Sequence, residues 1–438
     1  MAFSYKTLNE LQDALGKMNL ALPLSEDAGI LAGAFSFGGL NVPNRFAVQP
    51  MEGCDGNPDG SPSELTMRRY HRFAAGGAGL LWFEATAVVP EAKANPLQLM
   101  LTEENLDAFK SAVEDMRETA RRACGHEIAV IMQATHSGRY SKPAAGKPMP
   151  IIMRRNPIFE SKAPDLPYRI ITDDELKRLE ERFGEMTRLA EQAGFDGIDI
   201  KACHGYLLCE SLSAFTREGE YGGCFENRTR AYTNSIRSAI SAKTKQEFLI
   251  TSRLTAYDGF PHPYGFGAAS GGGEGVDLTE PLRLIDILHN ELGINALNLT
   301  MGNPYQNPHV NRPFDNGAYT PPEHPLQGVA RVYEITEKIA KEFPALSIMA
   351  SAPSYLRALS VHLAAGAVEA NVCDIVGFGR MAFAYPDFAK DFLSGSVDAK
   401  QCCIACSKCS QIMRGGGKAG CAIRDSVYTE IYRKLCAE

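Results

Sequence analysis

The sequence has no excess of positive charge: 45 Lys and Arg stand against 52 Asp and Glu, a formal net charge of −7. No basic patch offers itself to a phosphate backbone, which argues against nucleic acid as a partner. The first stretch, MAFSYKTLNELQDALGKMNL, lacks a continuous apolar run, so neither a signal peptide nor a membrane anchor is read there. Short tandem repeats are missing, which excludes a solenoid. No GxGxxG follows the first apolar run, so a Rossmann reading loses its strongest support. A secretory signal is also missing beside the 12 cysteines. They therefore point to a reducing, cytoplasmic compartment, where clustered thiols bind metal more often than they form disulfides.

The composition is that of a globular chain, 45% hydrophobic and 22% charged, long enough for one large α/β domain with additions. Eight short β-rich apolar runs alternate with amphipathic helical stretches: 45–50, 79–85, 128–133, 197–203, 248–254, 296–300, 346–351 and 374–380. The clearest helix spans 173–194, with Thr172 as cap, Glu175 completing a capping box and Gly194 as the stop. Polar and glycine residues gather after the strand ends, where a (β/α)8 TIM barrel places its active site, and this pattern favours the barrel over a doubly wound sheet. The barrel is expected over residues 1–395, with a cysteine-rich extension over 396–438. The Gly- and Pro-rich run 258–277 reads as an inserted loop, either a lid or a plain surface excursion.

In the extension, Cys403, Cys406 and Cys409 are each separated by two residues and Cys421 follows eleven residues later. Three thiolates from one tight loop with a fourth from a distance is the arrangement of a [4Fe–4S] site. A zinc ribbon, built from two separated CxxC knuckles, is a poorer match, and Cys402 competes with Cys403 as ligand. In the barrel, QPMEG (49–53) leaves a strand with backbone able to face a ligand. Gln133 in IMQATHSGRY and Arg253 in ITSRL sit near strand ends. VGFGR (376–380) joins glycines to Arg380, a cradle for a phosphate. Together they describe a site for a planar, anionic cofactor with a phosphate tail, although each one alone is more often structural.

From LNVPNRFAVQPME (40–52), through KACHGYLLCESLSAFTREGEYGGCFENRTR (201–230), to the cysteine tail, the chain resembles the old yellow enzyme family of FMN-dependent oxidoreductases. Its iron–sulfur branch includes 2,4-dienoyl-CoA reductase and trimethylamine dehydrogenase. The resemblance implies that Pro50, Met51, Ala85, Gln133 and Arg253 contact the flavin ring and ribityl chain, and that Ser351, Gly379 and Arg380 hold its phosphate. It makes Tyr206 the proton donor, a role that suits a phenol protonated at neutral pH. His204 and Lys201 would anchor a substrate carbonyl. Lys201 departs from the histidine common at that position, and either polarises the substrate or forms a structural ion pair. His136 reads as a packed residue rather than a catalyst.

These expectations converge on an FMN- and [4Fe–4S]-dependent enzyme that reduces an activated C=C bond. Two alternatives are an amine dehydrogenase that exports electrons through the cluster and a non-catalytic flavin- or metal-binding component of a larger complex. The larger relatives carry further nucleotide-binding domains after the cluster, whereas only 17 residues follow Cys421 here. Electrons are therefore expected from an external reductase or electron-transfer protein, or directly from NAD(P)H.

Overall fold

The computed structural model describes residues 3–143, 147–270 and 275–437. Eight parallel strands close into a barrel: β1 Phe46–Val48, β2 Leu80–Ala87, β3 Ala129–Thr135, β4 Gly197–Ile200, β5 Leu249–Tyr257, β6 Ala296–Met301, β7 Ser347–Ala350 and β8 Ile375–Phe378. Each pairs with its neighbours in sequence, and β8 pairs with β1, Val376 opposite Phe46, to shut the ring. Closure satisfies the backbone of every strand and leaves no edge. β2, β3 and β5 are buried along their whole length, as continuous apolar strands covered by helices must be. All eight expected strands are present. The helix over Asp173–Gln192 carries the expected capping box of Thr172 and Glu175.

The strand ends depart from the sequence reading for local reasons. β4 stops at Ile200 because the backbone turns at His204 and Gly205, both with positive φ. β8 stops at Phe378 because Gly379 caps a short helix, Arg380–Ala384. One end of the barrel is plugged by an antiparallel hairpin, Phe35–Phe37 with Leu40–Val42, whose Phe37 packs edge-on against Trp82 with ring centroids 6.4 Å apart. The hairpin turns through Gly38 at φ +56°, where a Cβ would lie 2.7 Å from the Cβ of Ala296. Part of the 258–277 loop, residues 271–274, lies outside the described residues. The rest is tied down: the Asp258 carboxylate accepts from the backbone N–H groups of Phe260 (3.1 Å) and Phe266 (2.9 Å).

Inside the barrel, Asp199 of β4 is fully buried and its carboxylate collects three donors. The Trp82 indole N–H of β2 lies at 2.8 Å, the Gln133 amide of β3 at 2.6 Å and the Arg253 backbone N–H of β5 at 2.6 Å. Burial raises its pKa, and the three hydrogen bonds oppose that rise.

The cysteine-rich segment packs back onto the barrel. Ala419 donates its backbone N–H to Gly53 O at 2.6 Å. Asp425, 2% exposed at its side chain, takes the Arg68 guanidinium through two bonds of 2.9 and 3.1 Å and also pairs with Arg72. Ile412, Ala422 and Tyr428 bury a small apolar cluster against Leu65.

Two substitutions test these anchors. Asp199→Ala orphans three buried donors and is expected to destabilise the fold by about 3 kcal/mol or more, since each orphaned group costs about 1–3 kcal/mol. The urea unfolding midpoint reads this directly. Asp425→Ala is expected to leave the barrel folded but to speed tryptic cleavage within 395–437, measured by limited proteolysis.

Candidate active site

The end of the barrel opposite the hairpin opens into a cleft of about 1040 Å³, mouth included. Gln49, Pro50, Met51 and Glu52 follow β1 into it. Lys201, His204 and Tyr206 enter after β4, and Arg253 enters from β5. Ser351, Gly379 and Arg380 arrive from β7 and β8, and Tyr305, Asn311 and Arg312 from the segment after β6. Of the residues named from sequence, Pro50, Met51, Lys201, His204, Tyr206, Arg253, Ser351, Gly379 and Arg380 thus share one cavity. Ala85 and Gln133 lie in the strand wall and do not line it: Ala85 is buried beside a bulge in β2, and the Gln133 amide is committed to Asp199.

Tyr206 is 2% exposed. Its hydroxyl donates to Glu52 Oε1 at 3.2 Å and lies 2.9 Å from the Tyr305 hydroxyl. Tyr305 in turn stacks on Tyr140 with centroids 3.8 Å apart. Burial, then the Glu52 carboxylate, holds the Tyr206 phenol well above its usual pKa, so it keeps its proton at neutral pH. The Lys201 ammonium lies 3.8 Å from the centre of the Tyr206 ring and 3.9 Å from Glu52 Oε1. Its side chain is 4% exposed and burial lowers its pKa, while burial raises that of Glu52.

His204 sits at φ +65°, held by Thr255 Oγ1 on its backbone N–H (3.2 Å) and by Asn303 Nδ2 on its carbonyl (3.0 Å). Gly205 follows at φ +70°, where a Cβ would come within 2.3 Å of that same Asn303 amide nitrogen. This tight turn puts His204 and Tyr206 in one cleft. Burial, with Arg253, Lys201 and Arg312 nearby, keeps the imidazole neutral, well below its usual pKa. Asn311 Nδ2 donates to Met301 O at 2.8 Å, which fixes the orientation of that amide. Its other hydrogen is shared between Thr300 Oγ1 (3.1 Å) and His204 Nε2 (3.3 Å). Nε2 is therefore the acceptor, and the ring proton is assigned to Nδ1. His136, by contrast, is buried outside the cleft, accepts from Gly138 N–H at 3.0 Å and is pushed down to about 3 by burial.

Cationic side chains with incompletely paired donors line the rest of the cleft. Arg380 donates Nη2 to Pro313 O at 2.8 Å, yet its buried Nη1 has no acceptor among the described residues, and neither has Arg253 Nε nor Arg312 Nη1. Gly379 packs so close that a Cβ would meet Met51 Sδ at 2.8 Å. Buried guanidinium donors left unpaired beside a side-chain-free backbone are suited to an anionic group. Ser351 accepts from Gln49 Nε2 at 3.1 Å and gives its own proton to Leu299 O at 2.7 Å.

Cys403, Cys406, Cys409 and Cys421 line a second, narrow cavity, with Arg380, Phe383 and Cys409 common to both cavities. Cys402, the competing ligand, is fully buried and also lines it. Among the described residues, no three His, Cys, Asp or Glu side chains converge closely enough to hold a single metal ion.

Sequence reasoning passed over Glu52, Tyr305, Arg312 and Asp199. An acid flanked by apolar residues in GIDI, and a carboxylate directly after QPM, are signals in retrospect. Tyr305 and Arg312, on an irregular segment, carry none.

The sequence profile of the NADH:flavin oxidoreductase / NADH oxidase family matches residues 34–268. The NADPH dehydrogenase of Clostridium acetobutylicum is 27% identical over 265 residues, 60% of this chain and 71% of its own. The cinnamate reductase of Clostridium sporogenes is 25% identical over 416 residues, 90% of this chain but 57% of its own. A 2-naphthoyl-CoA reductase in complex with 2-naphthoyl-CoA superposes with a TM-score of 0.73 at 18% identity, covering 93% of this chain and 58% of that one. The chain thus spans little more than half the length of the last two. With more than half of its 438 residues matched by the profile and the barrel closed as the sequence pattern required, the chain belongs to the NADH:flavin oxidoreductase / NADH oxidase family of flavin-dependent enzymes.

Proposed function

We propose that the chain is an FMN-dependent reductase of activated C=C bonds, with Tyr206 as the proton donor. The observation that carries this reading is the buried, proton-bearing Tyr206 hydroxyl in the same cleft as the unpaired donors Arg253 Nε and Arg380 Nη1. Arg380, with Gly379 and Ser351 beside it, would hold the FMN phosphate, and Arg253, Pro50 and Met51 the ring and ribityl chain. Ala85 and Gln133 would support that wall from behind. FMN held by these residues would supply hydride-transfer chemistry at the carbon β to an activating carbonyl.

The chain's own residues do the rest. His204, neutral and with its proton assigned to Nδ1, offers a hydrogen bond to the carbonyl oxygen, where charge grows as hydride arrives. Tyr206 gives its proton to the adjacent carbon. Lys201 is engaged by the Tyr206 ring and Glu52, which favours its ion-pair role over a direct carbonyl contact.

Residues 396–438 are proposed as the cluster-holding extension of a barrel over 1–395. Four cysteines lining one cavity suit a [4Fe–4S] cubane, whose four separate iron corners ask for spread thiolates rather than convergence on one ion. Such a cluster supplies one-electron transfer, and the shared Arg380 and Cys409 put its cavity against the flavin cleft. The electrons would come from NADH or NADPH, in keeping with the family, or from an external electron-transfer protein.

Three measurements test this reading. Tyr206→Phe keeps the ring and removes the proton. Reduction by dithionite should be unchanged, while reoxidation by an α,β-unsaturated ketone should slow by about 10²–10⁴-fold in anaerobic stopped flow. Wild-type reoxidation rates would reject Tyr206 as the acid, and bleaching of oxidised flavin by amines would support the amine dehydrogenase instead. Arg380→Ala should weaken FMN retention by about 1.5–3 kcal/mol, the scale of a charge-assisted hydrogen bond, in a fluorescence titration of the apoprotein. Anaerobically prepared protein should contain about four irons per chain, and Cys406→Ser should lose them while retaining FMN; stoichiometric zinc instead would end the cluster assignment.

A further inference from the structure

We propose that Glu52 reloads Tyr206 with a proton after each turnover, with Lys201 holding the carboxylate that this leaves behind. The inference rests on the reading of Tyr206 as the acid. A buried phenol that has given its proton to carbon becomes a phenolate with little access to water, because Tyr206 is 2% exposed. Something in the cleft has to restore the proton before the next substrate is reduced. Two groups touch the hydroxyl: the Tyr305 hydroxyl at 2.9 Å and Glu52 Oε1 at 3.2 Å. Tyr305 is another phenol, no stronger an acid by type, so it can pass a proton along but not drive the transfer. A carboxylic acid can drive it.

The geometry separates Glu52 from a carboxylate that merely neutralises a buried cation. Close by, Arg69 donates to Asp55 at 2.8 Å in a direct, hydrogen-bonded ion pair and stands 2.7 Å from Glu84. The Lys201 ammonium stands 3.9 Å from Glu52, beyond hydrogen-bond reach, and lies over the Tyr206 ring instead. It is placed to favour negative charge on either the phenolate or the carboxylate without locking it on one of them. The ionisable groups facing Glu52 among the described residues are Lys201, Tyr206, Tyr305, Cys54 and Cys203, with Arg69, Glu84 and Asp55 behind Cys54. Burial raises the Glu52 pKa, which brings its protonated form closer to neutral pH. Its side chain is 12% exposed against 4% for Lys201, so Glu52 has the contact with the open cleft needed to recover a proton from solvent.

The step balances as follows. After hydride addition, the electron pair of the substrate carbanion takes the Tyr206 proton, so the phenolic O–H breaks and a C–H bond forms. The phenolate oxygen then takes the proton of the Glu52 carboxyl, along the same contact through which the phenol otherwise donates. Glu52 is left as a carboxylate beside the Lys201 ammonium and is reprotonated by a solvent acid (hydronium or protonated buffer) through the open cleft, so each turnover consumes one solvent proton. The reductant remains the flavin, and no other co-reactant is needed.

A supply role has a signature that a structural role lacks: the first turnover uses the proton already on Tyr206, and only later turnovers need Glu52. The flavin-loaded protein, reduced with dithionite, is mixed with 2-cyclohexenone for a single turnover and then followed at steady state with saturating reduced methyl viologen. For Glu52→Gln, which also removes the charge beside the Tyr206 hydroxyl, the first reoxidation should shift by less than about tenfold, while steady-state turnover falls by about 10²-fold, the lower scale of positioned acid catalysis. Glu52→Asp, which keeps the acid on a shorter arm, should recover part of the steady-state rate. Equal loss in both phases for Glu52→Gln would make Glu52 a structural or first-step residue and overturn the proposal, as would wild-type behaviour in both. The parent reading fails separately: if Tyr206→Phe reoxidises at the wild-type rate, Tyr206 is not the acid, whatever Glu52→Gln does.

Discussion

Asp199 puts a carboxylate in the fully buried barrel interior, and it stays there because donors from three other strands surround it. Much of the upper barrel takes its position from that constraint. Binding the Arg253 backbone N–H sets the height at which β5 delivers its guanidinium to the cleft. Binding the Gln133 amide draws that side chain into the wall. Side chains two apart on a strand share a face, so the residue two beyond Asp199 is the next inward position, and there Lys201 reaches the cleft floor. One acid near the axis thus sets the placement of a cation, an amide and a guanidinium.

Above that layer, the site is arranged around a cluster of cations, a separate group of acids and hydroxyls kept protonated. Arg253, Arg312 and Arg380 face the cavity with donors unpaired, and the field of Arg253 and Arg312, with Lys201, helps keep His204 neutral. The opposite sign is gathered on the other side, at Glu52 and, behind it, Asp55 and Glu84 around Arg69. The phenols of Tyr206, Tyr305 and Tyr140 form the border between the two. A ligand with an anionic tail and a neutral reactive ring suits such a division.

The fold was legible because a closed parallel barrel leaves a strong mark: eight apolar runs, each bounded by polar or glycine-rich turns. The strand ends were less so. Whether β4 ran on through Cys203 depended on a left-handed turn at His204, and His204 is not a residue type whose identity announces positive φ. Site residues attached to strand ends in sequence order, such as Arg253, Arg380 and Tyr206, could be placed because the barrel brings all such ends to one face. Gln133 was placed at the right strand end but not in the cavity, since its partner Asp199 is 66 positions away. Tyr305 and Arg312 were invisible because no periodicity governs the segment after β6, and their position follows from packing alone.

The route of the chain through the cleft has a consequence for how the protein is made. The ring shuts only when Val376 of β8 meets Phe46 of β1, and one wall of the cleft is built from Cys409, Ser410, Met413 and Ala419. A ribosome delivers the chain from its N-terminus, at roughly 5–20 residues per second. The first residues of the site, Pro50 and Met51, therefore wait through more than three hundred further additions before β8 can complete the barrel, and longer for the last wall. During that interval β1 stands as an unpaired edge, and nothing yet closes the cleft around a flavin. In this architecture the cavity is therefore completed late in synthesis, once residues 409–419 have followed β8.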